Sequence, residues 1–223
     1  MTKLDAKEVK APDVFITFSD KVIGWLEKYR RSVFGLIAGA LVAGGVYVVY
    51  EYWQQHIERQ AQEALYLIEE GSKENKDQLI IKYQDFIKDH KRTKASLIAT
   101  VRLADIFRQN SKLNEAQSAI ESALGQVSSE SFFFGVLNIQ LASVKMDLKD
   151  FNGGISHLEA IVAEPSQKHF HGESLLKIGL SYYGLSELEK AQQYFKRVIQ
   201  EFKSSDAAEK ATVYLRYLAL KKG

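Results

Sequence analysis

The segment Ser32–Tyr50, SVFGLIAGALVAGGVYVVY, runs for 19 residues without a charge. As a helix it reaches roughly 28 Å, close to the hydrocarbon thickness of a bilayer. A buried core helix of that length needs a polar side for its surroundings, and none is present. The segment is therefore predicted to be a membrane-spanning helix. Lys28, Arg30 and Arg31 precede it, whereas Glu51, Tyr52 and Trp53 follow and the next basic residue is Arg59. That asymmetry predicts a cytoplasmic N-terminus and a C-terminal domain on the outer side, which in a bacterium is the periplasm. Tyr47, Tyr50, Tyr52 and Trp53 read as an aromatic belt at the far interface. A cleaved signal is disfavoured, because the preceding 31 residues make an overlong n-region and no small-residue cleavage site follows Tyr50.

Gly35 and Gly39 form a small-xxx-small pair, repeated by Ala40 and Gly44. Small residues let helix backbones approach in lipid, so Gly35, Gly39 and Gly44 are candidates for contact with another membrane helix. Upstream, Phe15, Phe18, Val22, Leu26 and Tyr29 recur at helical spacing, predicting an amphipathic helix over 14–29 in a cytoplasmic tail of residues 1–31. Residues 1–12 are polar and predicted to be disordered.

The remainder, 51–223, reads as helices with short polar breaks. Its charges balance, which leaves no electrostatic footprint for nucleic acid. Only Pro12 and Pro165 interrupt the whole chain, and cysteine is absent. Disulfides, thiolate metal sites and cysteine nucleophiles are thereby excluded. The strongest internal signal is Leu175-x2-Ile178-Gly179-x2-Tyr182, followed by Ala191 and Phe195, which follows the tetratricopeptide pattern of two antiparallel helices. Two earlier units align on it. The small residues Ala104, Ala142 and Gly179 recur at intervals of 38 and 37, and so do Ala116, Gly154 and Ala191. A constant offset predicts that each first helix meets its second helix at matched small positions. Phe107, Tyr182 and Phe195 are predicted to fill the space between units. The expected fold is all-α: one transmembrane helix, then helix pairs at about 52–90, 95–126, 131–164 and 172–203, then a single capping helix over 206–221 with a polar outer side. Asp206 is expected to cap that helix, and Ser186-x-x-Glu189 to form a capping box.

First helices of such solenoids line a shared face that binds peptides. Residues one turn from the small positions are Val101, Asp105 and Arg108; Ile139, Ser143 and Met146; and Leu176, Leu180 and Tyr183. They predict a mostly apolar partner groove with one Asp/Arg pair, suited to hydrophobic segments or a partner helix. Phe132-Phe133-Phe134 is predicted to be core, the alternative being that part of it is an exposed client or partner contact.

No catalytic, cofactor or metal constellation appears. His169-x-His171 lacks further ligands, Gly153-Gly154 reads as a helix contact, and no nucleotide or zinc-protease motif is present. The expectation is a protein that is not an enzyme.

A short N-terminal tail, one membrane helix, the Tyr50-x-Tyr52-Trp53 exit and divergent tetratricopeptide units together resemble the YfgM-type ancillary SecYEG translocon subunits over most of 28–223. The longer amphipathic N-terminal segment departs from that pattern. The resemblance implies an inner-membrane protein whose periplasmic domain assists exported proteins, with translocon subunits, periplasmic chaperones or exported clients as partners. It also implies kinship with the corresponding domain of a cell-division coordinator. Two alternatives are a self-associating scaffold for cell division or envelope assembly, in which the chain forms a homo-oligomer, and an organelle import receptor with a cytosolic solenoid.

Overall fold

The computed structural model describes residues 23, 25, 28–71 and 75–221. Most of the segment predicted as an amphipathic helix, 14–29, lies outside the described residues. The chain divides into two compact units, Met1–His56 and Ile57–Gly223.

In the first unit the apolar segment belongs to helix α1, Arg30–Glu70, which is long and apolar enough to cross a membrane. None of its most apolar 18-residue window is buried within the chain, so that stretch is not part of a core. A Cβ built on Gly35, Gly39, Gly44 or Gly45 meets nothing within 4 Å. Tyr47, Tyr50, Tyr52 and Trp53 are all exposed.

The second unit holds the end of α1 and eight further helices among the described residues: α2 (Lys76–Asp89), α3 (Lys94–Gln109), α4 (Leu113–Leu124), α5 (Phe132–Asp147), α6 (Phe151–Ala163), α7 (His171–Gly184), α8 (Leu188–Glu201) and α9 (Asp206–Lys221). A short 3-10 turn, Pro165–Phe170, joins α6 to α7. Each helix from α2 onward packs on its neighbour in sequence. In addition α5 packs on α3, and α9 on α7. This is the contact pattern of stacked helix hairpins.

The packing follows from small residues. Ala104, Ala116, Ala142 and Ala191 are fully buried. Gly154 on α6 abuts α5, where an added Cβ would lie 3.2 Å from the carbonyl oxygen of Ala142. Gly179 on α7 lies under the Phe195 ring of α8, at 2.6 Å from a built Cβ. Phe195 is fully buried and stacks on Tyr214 of α9 at 5.4 Å, so one ring ties the fourth pair to the final helix. Tyr182 stacks on Tyr194 at 5.4 Å.

Two sets of buried side chains result. One runs from Ala61 and Leu65 of α1 through Tyr83, Phe86 and Phe107 to Leu137, Leu141 and Val144 of α5. The other runs from Ala142 through Leu158, Ile161, Leu175 and Phe195 to Ala211 and Leu218. Residues on different sides of α5 thus belong to both sets. Each fully buried leucine or isoleucine stabilises the fold by about 1.5–3 kcal/mol.

The hairpin turns repeat a device. Ser111, Lys149 and Ser186 each take a left-handed conformation, with φ of 57°, 67° and 63°. The residue after each donates its N–H back five positions: Lys112 to Phe107, Asp150 to Lys145 and Glu187 to Tyr182, at 2.8–2.9 Å. That is a Schellman helix ending, used three times without glycine. Two capping expectations are corrected. Ser186 closes α7, and Glu187 is the residue before α8 with no side-chain cap, so no capping box forms there. At α9, Asp206 is the first helical residue, and Ser205 Oγ accepts the N–H of Ala208 at 3.2 Å.

Phe133 and Phe134 are partly buried, but Phe132 is 57% exposed. It stacks on His169 at 5.5 Å, so the first phenylalanine lies outside the core while the other two are partly buried. Gln167, fully buried in the 3-10 turn, donates from Nε2 to the carbonyls of Ser129 and Ser131, at 2.7 and 2.8 Å. The α6–α7 connection is thereby pinned to the α4–α5 connection.

Candidate protein-binding face

The first helices of the successive pairs are α1, α3, α5 and α7, with α9 in the following place. Polar side chains join them across one side. Glu58 of α1 accepts the N–H groups of Lys94 and Ala95 at 2.8 and 3.0 Å, placing a carboxylate on the N-terminal turn of α3, where the helix dipole favours it. Glu69 of α1 accepts from Arg102 Nε of α3 at 3.3 Å. Asp105 of α3 accepts from Gln140 of α5 at 3.3 Å. Arg108 reaches Asp147 of α5 at 2.8 Å through Nη2 and 2.9 Å through Nε. Ser143 of α5 accepts from Lys177 of α7 at 3.0 Å, and Glu173 stands 3.9 Å from the same ammonium. Tyr183 of α7 meets Tyr217 of α9 edge-on at 6.3 Å.

Burial pushes the Lys177 ammonium below the ordinary lysine range; Glu173 and Asp147 oppose the shift, while Arg108 and Lys210 add to it. A partly desolvated lysine beside a balanced set of acids and bases makes this face polar and directional rather than a greasy slot.

The predicted groove residues are distributed as follows. Val101, Asp105, Arg108, Ile139, Leu180 and Tyr183 are partly exposed. Leu176 is only 5% exposed, so it belongs to the chain's own core and offers little to a partner. Met146 lies against α6, its Cγ 3.4 Å from a Cβ built on Gly154, because the glycine leaves room for it. The apolar floor expected from the sequence is therefore laced with polar links. Arg102, Gln140, Asp147 and Lys177 were missed. A signal existed for three of them: positions 102, 140 and 177 recur at the same intervals of 38 and 37 as the small residues.

On another side of α3, an open cleft of about 510 Å³ lies among α2, α3 and α4, with Ile87, Leu103, Phe107 and Ala119 as its apolar floor and Asn114 and Ser118 at its rim. Among the described residues no group of three or more His, Cys, Asp or Glu is gathered as metal ligands. His171 Nε2 lies 3.2 Å from the Glu164 carbonyl instead.

Comparison with known proteins agrees with this architecture. A protein from Aggregatibacter actinomycetemcomitans named "Ancillary SecYEG translocon subunit" is 24% identical over 144 residues, spanning 61% of this chain and 66% of the relative. One of the same name from Escherichia coli (strain K12) is 26% identical over 173 residues, spanning 75% and 83%. Among solved structures, a tetratricopeptide repeat protein from Parabacteroides merdae superposes with a TM-score of 0.55 at 17% identity, covering 74% of this chain and 61% of that one. MamA from Desulfovibrio magneticus RS-1 superposes with 0.52 at 13% identity, covering 76% and 85%. At such identities the structural likenesses show the fold alone. The model of the Tetratricopeptide repeat-like domain family matches residues 24–222, and the chain belongs to that family.

Proposed function

We propose that this protein is a non-enzymatic, single-pass ancillary subunit of the SecYEG translocon. Its N-terminus is cytoplasmic and its helix pairs are periplasmic. The observation that carries the reading is that the family match runs from 24 to 222, through the apolar helix and the helix pairs together, in a chain whose two relatives share the translocon-subunit name. Lys28, Arg30 and Arg31 before the apolar segment support the orientation. In this reading α1 holds the chain at the translocon, with Gly35, Gly39 and Gly44 as the contact to another membrane helix. The row of first helices, from Arg102 to Tyr183, receives exported segments or periplasmic chaperones. Its partners are recognised by paired charges and a Tyr183 edge as much as by apolar area.

Photo-crosslinkers placed at Gln140 and Tyr183 in intact cells test the reading. Adducts with translocon subunits, chaperones or exported chains are expected. Adducts confined to division proteins contradict it, and protease digestion of the helix pairs from the cytoplasmic side contradicts the orientation.

A further inference from the structure

The row of first helices ends on α9, which packs on α8 and α7 as α5 packs on α4 and α3. Its inner side is closed: Ala207, Ala208, Ala211 and Leu218 are buried. Its outer side departs from the polar surface expected of a cap. Val213, Tyr217 and Leu220 are 63%, 51% and 82% exposed. They stand at i, i+4 and i+7, a single stripe along the helix. Tyr217 carries the stripe to Tyr183 and so to the end of the row. Beyond the Tyr183 edge, the stripe is exposed among the described residues.

The charges of α9 are polarised along its length. Asp206 and Glu209 lie in the first turn. Basic residues follow at 210, 216 and 221. A parallel neighbour of the same kind would set like charges side by side. An antiparallel one sets the acidic end of each helix against the basic end of the other and opposes the two macrodipoles.

We propose that α9 is a homotypic contact: two copies of this chain pair through their α9 helices, antiparallel, about a two-fold axis level with Leu215. Val213 of each copy then meets Tyr217 of the other, and Leu220 lies along the methylene stem of Lys210. The surface is self-complementary, as a two-fold interface requires. It does not rest on the identity of what the first-helix row binds, although Tyr217 touches Tyr183 at the end of that row.

The chain has no cysteine, so introduced thiols are unambiguous. Full-length copies with Val213→Cys and one tag are co-expressed with copies carrying Tyr217→Cys and a second tag, then oxidised in native membranes. An adduct bearing both tags is expected. Replacing the second partner by a Ser118→Cys copy, exposed on α4, should leave no such adduct. Leu220→Lys in both copies should lower the yield roughly tenfold, because it sets a second ammonium against Lys210 of the partner copy. Absence of a two-tag adduct, an adduct formed equally well through Ser118→Cys, or capture of a different protein at Val213→Cys overturns the proposal.

Discussion

Arg108 on α3 reaches Asp147 on α5 with an Nη2–Oδ2 separation of 2.8 Å, and its Nη1 stands 3.7 Å from Asp105 on its own helix. One guanidinium thus links two successive first helices and keeps part of its surface exposed. The side chains of Arg108 and Asp147 are 30% and 43% exposed, so solvent screens much of their attraction. A double-mutant cycle of Arg108→Ala and Asp147→Ala, read by urea unfolding, should give a coupling of about 0.5–1 kcal/mol. Arg108→Ala should reduce partner capture at Gln140 far more than that stability change accounts for. Equal losses in both measurements would assign the pair a purely architectural role.

Gly179 is the tighter of the two matched glycines, Gly154 and Gly179. A Cβ there meets the Phe195 ring at 2.6 and 2.8 Å, and that ring is fully buried against Tyr214. Gly179→Ala should destabilise the helix pairs by about 1–3 kcal/mol through overpacking, even though alanine favours a helix by about 1 kcal/mol over glycine. Phe195→Leu in the same chain should recover part of the loss. Gly154→Ala, whose nearest atom is 3.2 Å away, should cost less. Urea unfolding of the three variants checks the ranking.

Most of the helix-pair arrangement was legible because the small residues recur at nearly constant offset, and a helix can approach its neighbour closely only there. The apolar segment was legible because length without charge has few other uses. The chemistry of the candidate face was less so. Leu176 and Met146 look like surface residues from their register, yet one is covered by the core and the other leans into the space that Gly154 vacates. Gln140 and Lys177 gain their meaning only from Asp105 and Ser143 on the preceding helices, which no single-helix periodicity displays. The outer side of α9 was misjudged because Val213, Tyr217 and Leu220 were read only through the buried side they oppose.

The left-handed turn residues give a second stability prediction. Ser186 is exposed and pays a conformational cost that glycine does not. Ser186→Gly should raise stability by about 1 kcal/mol, the strain of a left-handed non-glycine residue. Ser186→Val should lower it. Thermal melting of both variants, with the Glu187–Tyr182 backbone bond preserved, distinguishes turn strain from a general surface effect.

His157 on α6 supplies the pH dependence. Its Nδ1 lies 2.9 Å from Asn138 Oδ1; Asn138 donates its amide to the Phe134 carbonyl, so the imidazole Nδ1–H is the donor. Burial holds its pKa below 6.5, Lys145 acts in the same direction, and Glu121 and Asp150 oppose them. The folded state therefore binds fewer protons than the unfolded chain just below pH 6.5. Stability should be full above that pH and decline as pH falls from 6.5 through the folded value. His157→Gln should flatten the dependence of melting temperature over that interval. An unchanged slope would place the proton uptake elsewhere.

The most direct test of the account is to isolate the full-length chain from native membranes in mild detergent and identify what accompanies it. The account predicts that it is extracted only with detergent and brings SecYEG subunits with it. Recovery in the soluble fraction, or from membranes in the company of division proteins alone, would contradict it.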